Sequence, residues 1–152
     1  MELHFDVVED SVRRVKQAFL HGAADAMAKL ALDTEAKAKM NITDQNAIDT
    51  GAARASIHTE FQGHSGYSEA ISEARSVASK PGMHSGTPSN PQFYPSIKAD
   101  ELEAVVAVGV EYGALIELGT VHMSPRPFLE PAVNEVFGAA EGIIVEAINR
   151  RL

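Results

Sequence analysis

Val8, Val12, Val15, Phe19, Ala26 and Leu30 recur at the spacing of one helical face. Asp6, with Glu9 three residues on, has the form of a capping box in which Asp is the cap. The pattern predicts one amphipathic helix from about residue 8 to about residue 40, which at 1.5 Å per residue is roughly 50 Å long. A domain of 152 residues is narrower than that. Either Gly22 bends or interrupts the helix, or the helix projects and finds its packing partner in another copy of the chain.

The rest of the chain has to fold around this helix. After a polar stretch from Asn41 to Gly51, Ala55, Ile57, Thr59 and Phe61 alternate with Ser56, His58, Glu60 and Gln62, the pattern of a half-buried strand. Leu102, Ala104, Val106, Val108 and Val110 form a second alternation whose β-branched content favours a strand. The two are expected to share an antiparallel sheet. Between them, residues 63–99 are rich in Gly, Pro, Ser and Asn and hold no period after about Ala78, so Lys80 to Pro95 reads as a long mobile loop. Pro131 suits a first helical position, and Val133, Val136, Phe137, Ala140, Ile143, Ile144, Ala147 and Ile148 then form one apolar stripe ending near Arg150 and Arg151, whose charges suit a last turn. The expectation is a single α+β domain over residues 1–152: a long N-terminal helix, a small antiparallel sheet with a long inserted loop, and a C-terminal helix.

Composition removes several kinds of function. Thirteen basic residues against twenty-one acidic ones give a net charge of −8, the wrong sign for gripping phosphate backbones. The excess is local, since Ala99 to Asn149 holds nine carboxylates and one Arg. Zero cysteines exclude disulfides, thiolate metal sites and cysteine nucleophiles. The start, Met-Glu-Leu-His, has neither a basic n-region nor an apolar h-region, and no stretch is long enough to span a bilayer, so the expectation is a protein made in a cytoplasm without membrane contact.

Chemistry-bearing patterns are equally sparse. No glycine-rich loop is followed by Lys and Ser or Thr, and Gly63-His64-Ser65-Gly66 lacks the spacing of a nucleophile elbow. His58 and His64 are six apart, His84 and His122 fall in loops, and no zinc spacing occurs, so the histidines are expected to be solvated. Glu111 and Glu117 form a carboxylate pair of the kind any acidic protein offers. The expectation is therefore a protein that is not an enzyme, with no catalytic residue, no cofactor and no metal.

One region is more specific. From Val108 the chain reads Val-Gly-Val-Glu-Tyr-Gly-Ala-Leu-Ile-Glu-Leu-Gly-Thr, and from Met123 it reads Met-Ser-Pro-Arg-Pro-Phe-Leu-Glu-Pro-Ala. These segments resemble the head-tail joining or tail-completion family of tailed bacteriophages, the family of gene product ten of the Hong Kong lambdoid phage. Tyr112, Ile116, Glu117, Gly119 and Thr120 match its first segment, and Arg126, Pro127, Phe128, Leu129, Pro131 and Ala132 match its second. Upstream, Asp49, Thr50 and Gly51, followed by Arg54, Ser56 and Ile57, resemble its Asp-Thr-Gly segment between first helix and first strand. Gly113 departs from the family's usual Ala, Ala53 from its usual Leu, and no Pro precedes Asp49.

The resemblance implies a structural protein of virion assembly, made in the host cytoplasm and placed at the head-tail junction or in the tail. It implies a homo-oligomeric ring, possibly a hexamer, between the connector or head-completion protein and the tail tube or tail terminator, with DNA passing through without specific binding. Apolar surface on the first helix is the expected subunit contact, and the acidic C-terminal third the expected channel lining. A tail terminator or other minor tail component is the alternative within the same class. A small hydrolase using Glu117 or a histidine is the alternative from another. Each motif residue also has an intramolecular explanation: Gly51 and Gly119 as backbone conformations, Pro127 and Pro131 as helix starters, Phe128 and Leu129 as core anchors, and Arg126 as a partner for Glu117.

Overall fold

The computed structural model describes residues 6–45, 51–78 and 102–152, the side chains of residues 6–8 excepted. The order of elements is α1 (Asp6–Asp44), α2 (Ala52–Ala55), β1 (Ile57–Phe61), β2 (His64–Ser65), α3 (Tyr67–Ala78), β3 (Ala104–Val108), α4 (Gly113–Leu118), α5 (Leu129–Gly138) and α6 (Ala140–Asn149). The architecture is α+β, with a long N-terminal helix, a three-stranded antiparallel sheet and helices at the C-terminal end. The Lys80–Pro95 loop and the side chain of Asp6 in the capping box lie outside the described residues.

Helix α1 runs unbroken for 39 residues, through the polar stretch expected to begin at Asn41. Gly22 does not interrupt it. A Cβ at Gly22 would stand 2.6 Å from Ile148 Cα and 3.1 Å from the Ala147 carbonyl oxygen, so the missing side chain lets the backbone of α6 lie directly on α1. From there α5 and α6 run antiparallel to α1, with Lys37 paired to Glu135 at 2.6 Å near the far end. Residues 9–17 of α1, beyond the end of α6, are all exposed. The helix thus stays continuous, and its outer end projects past α6.

The sheet has the order β2-β1-β3, all neighbours antiparallel, with Ile57 opposite Val108 and Phe61 opposite Ala104. β1 was expected to bury one face. It is central instead, and Ile57, His58, Thr59 and Glu60 are all buried, because α1 packs on β1 and so does α3. Its polar side chains are satisfied within the chain. The Thr59 hydroxyl donates to Glu35 Oε2 at 2.9 Å, Ser65 donates to Glu60 Oε1 at 2.8 Å, and His58 Nδ1 lies 2.9 Å from the Ser56 carbonyl oxygen, with its ring edge-on to Tyr67. His58 is therefore buried and not solvated. Ala55 belongs to α2, and Leu102 and Val110 flank β3 instead of extending it.

Four elements were not among those expected: α2, β2, α3 and α4. Helix α3 buries Ala70, Ile71, Ala74 and Ala78, and with Ala52 and Ala55 of α2 it forms a small alanine-lined cluster. The larger core joins Ala38 and Ile42 of α1, Ala53, Ile57, Val110, Phe128 and Ala132.

The C-terminal stripe is divided between two helices at Ala139, whose N–H turns back to the Val136 carbonyl at 3.0 Å. Phe137, expected in the stripe, is 72% exposed. Pro131 is the third residue of α5, not the first. Arg150 and Arg151 follow α6, and Arg151 pairs with Asp25 of α1 at 2.7 Å.

Candidate functional site

The motif segments at Tyr112–Thr120 and Arg126–Ala132 meet in space, and one side chain joins them. Helix α4 presents Glu117 to the start of α5. Its Oε2 accepts from the N–H groups of Phe128 at 2.7 Å and Leu129 at 2.9 Å, and its Oε1 accepts from the Glu130 N–H at 2.8 Å. These are the cap and first two positions of α5, where N–H groups have no partner within the helix and the helix dipole favours negative charge. The next residue, Pro131, has no N–H to satisfy.

The accounting extends upstream. The Arg126 N–H donates to the Ile116 carbonyl at 2.8 Å, and Pro127 has no N–H. Every backbone donor from residue 126 to residue 131 is thus taken by Ile116 or Glu117. The carbonyls are held from the other side: Asn41 Nδ2 donates to the Phe128 oxygen at 3.0 Å, and Gln45 Nε2 donates to the Pro127 oxygen. Asn41 and Gln45 are one helical turn apart at the end of α1. Sequence reasoning missed both; their spacing of four was the available signal.

Between the two segments lies a tight turn. Thr120 and Met123 form an isolated antiparallel bridge, with the Thr120 N–H donating to the Met123 oxygen at 2.8 Å and the His122 N–H donating to Thr120 Oγ1 at 3.2 Å. Gly119 opens this turn with φ +74°, and a Cβ there would stand 2.7 Å from both the Met123 oxygen and the Pro125 nitrogen. Both the conformation and the space require glycine. Phe128 is buried in the larger core, with Tyr112, Ile116 and Leu129 packed against it. Tyr112 also caps α4.

Gly51, with φ 81°, caps α2 in the left-handed conformation. Asp49 and Thr50 lie outside the described residues. At Gly113 a Cβ would stand 2.5 Å from Val108 Cγ1, so valine on β3 occupies the space a side chain would need.

Around this clamp the surface is apolar and open. Leu115 and Leu118 of α4 are exposed, and Val121 at the tip of the turn is 97% exposed. A second exposed apolar region lies on the projecting part of α1, at Val12, Val15 and Phe19. Among the described residues no three His, Cys, Asp or Glu side chains gather as a metal-binding group, and no helix is long and apolar enough to cross a membrane. In comparisons with known proteins, no family model, no curated protein and no solved structure matches this chain.

Proposed function

We propose that this chain is a structural protein of tailed-phage assembly, joining the head connector to the tail as a homo-oligomeric ring. The observation that supports this reading is the Glu117 clamp. The two segments that resemble the head-tail joining family are far less informative apart than together, and here one carboxylate makes each depend on the other. A glutamate, a glycine-opened turn, Arg-Pro-Phe-Leu and a further proline form one device, so their joint occurrence has a physical basis.

The same geometry bears on the hydrolase alternative. A general acid or base must be free to exchange a proton with substrate, whereas both oxygens of Glu117 accept backbone hydrogen bonds at a helix start. The motif builds the scaffold, and the work falls to exposed surface. In the ring reading the chain acts by shape, offering one face to the connector and the other to the tail, with the excess of carboxylates discouraging DNA from adhering as it passes.

Electron microscopy of virus particles made without the protein tests this reading. Separate full heads and finished tails are expected. Intact infectious particles, or efficient substrate turnover by the purified chain, would overturn it.

A further inference from the structure

We propose that two copies of this chain pair through β3, antiparallel about a two-fold axis at Val106, and so join their sheets into one of the order β2-β1-β3-β3-β1-β2. The inference goes beyond the ring reading and does not rest on it, because a two-fold contact joins like surfaces whereas a ring is closed by unlike ones.

The backbone of β3 is committed on one side only. The Gly109 N–H donates to the Ser56 carbonyl at 3.1 Å, and with Ile57 opposite Val108 this makes His58 with Ala107, and Glu60 with Val105, the hydrogen-bonded pairs of the β1–β3 ladder. The Gly66 N–H donates to the Thr59 carbonyl at 3.0 Å, so the alternate residue of β1 turns toward β2. By the same alternation Ala104, Val106 and Val108 turn their N–H and carbonyl groups away from β1, and no described residue bonds to them there. The other edge of the sheet, β2, is only two residues long. β3 is five residues of Ala-Val-Val-Ala-Val, half-buried throughout, with neither a charge nor a proline, the devices that ordinarily keep a strand edge from pairing.

The order of those five residues identifies the occupant as a second copy. With Val106 opposite its own counterpart at the axis, Ala104 meets Val108 and Val105 meets Ala107 of the other chain, so a small side chain stands opposite a large one on each face. The residues whose backbone turns outward fall opposite one another, and each of their N–H and carbonyl groups gains a partner. Glu103, the acid next to the strand, falls opposite Gly109. A slide of one residue sets outward groups against inward ones. A slide of two in either direction leaves outward groups of the strand unpaired, and the slide that sets Ala104 opposite Val110 also sets Glu103 opposite Glu111, like charges that repel across a ladder. An unrelated extended peptide would meet a strand without a charge to select it, whereas a second copy matches it position by position.

The chain has no cysteine, so introduced thiols report the register directly. Val105→Cys and Ala107→Cys are prepared separately, mixed and mildly oxidised. In the proposed ladder these positions form a non-hydrogen-bonded pair with Cα atoms about 4.5 Å apart, whereas like positions lie on the diagonal at about 7–8 Å, beyond disulfide reach. The expected result is a mixed disulfide about tenfold more abundant than either like-with-like product. No mixed disulfide, or equal yields of all three, would overturn the proposal. Sedimentation of the unaltered chain should show a dimer that dissociates on dilution. Ala104→Pro removes an outward donor and no bond to β1, and it should weaken that dimer about tenfold while the circular dichroism melt of the dilute monomer stays nearly unchanged. A chain that is monomeric at every concentration, or a dimer indifferent to Ala104→Pro, defeats the idea. The amides of Val106 and Val108 should exchange quickly in the dilute monomer and slowly in the dimer. Slow exchange in the monomer would mean that the chain's own residues cover the edge, and the proposal falls. Particle assembly is a separate readout: a monomer that particles require defeats this contact alone, and a dimer that they do not need defeats the phage role alone.

Discussion

The clamp around Glu117 and the outer part of α1 are opposite solutions to being a short stretch of polypeptide. From residue 126 to residue 131 every backbone donor has an acceptor inside the chain, and the carbonyls of Pro127 and Phe128 are held by α1. From residue 9 to residue 17 every residue is exposed, and Val12 and Val15 touch no core. The motif residues lie in the first region, with exposed Leu115, Leu118 and Val121 around it, whereas the second is exposed along its whole length. The pattern that stands out in this sequence is thus a record of what the fold demands of its backbone, while the exposed arm is written in ordinary residues.

If this contrast is right, substitutions in the clamp should unfold the chain and substitutions in the arm should not. The largest effect is expected from Glu117→Ala, which leaves three backbone donors at the start of α5 without an acceptor. A loss on the order of 3 kcal/mol follows, read as a lowered denaturation midpoint. Gly119→Ala should cost about 2 kcal/mol, since it combines a left-handed backbone with a contact against Met123 and Pro125. Gly113→Ala should cost roughly 1–3 kcal/mol by overpacking against Val108, and adding Val108→Ala should recover part of that loss. A double variant no better than the single one would show that Val108 does not fill the space. Lys37→Ala removes an ion pair with both side chains well exposed, and a change below about 1 kcal/mol is expected. Smallest of all, Val15→Ser should change monomer stability by less than about 0.5 kcal/mol, measured by chemical denaturation at low concentration. A large loss from Val15→Ser would erase the distinction between the two regions.

The sequence made the long helix legible because its large apolar residues keep one period, and it made β1 and β3 legible because their alternation is regular. Gly22 was misread for a physical reason: glycine weakens a helix, and its use as a contact point becomes visible only once the backbone of α6 is known to lie there. Helix α3 escaped notice although Ala70, Ile71, Ala74 and Ala78 keep helical spacing against exposed Glu69, Glu73 and Arg75, because it lies at the start of the Gly-, Pro- and Ser-rich residues 63–99. β1 was read as half-buried because Ser56, His58 and Glu60 are polar, yet each finds a hydrogen-bonding partner that burial requires. The division between α5 and α6 was signalled by Gly138 at the end of α5, against an apolar stripe that runs on as if nothing happened. In the candidate site, the residue types at Glu117, Gly119 and Phe128 were legible, and Glu117 was assigned an arginine as its possible partner. The three amide donors that it holds belong to backbone, and backbone donors leave no trace in a residue pattern.

The length of α1 gives the molecule a lever. Val12 and Asn41 are separated by 29 residues of continuous helix, about 44 Å of stiff rod, and the inner end of that rod is fastened to the carbonyl groups that precede α5. A load applied to the outer end is met first where the backbone of α6 lies on Gly22, so it bears on the seam between the two helices before it reaches that fastening.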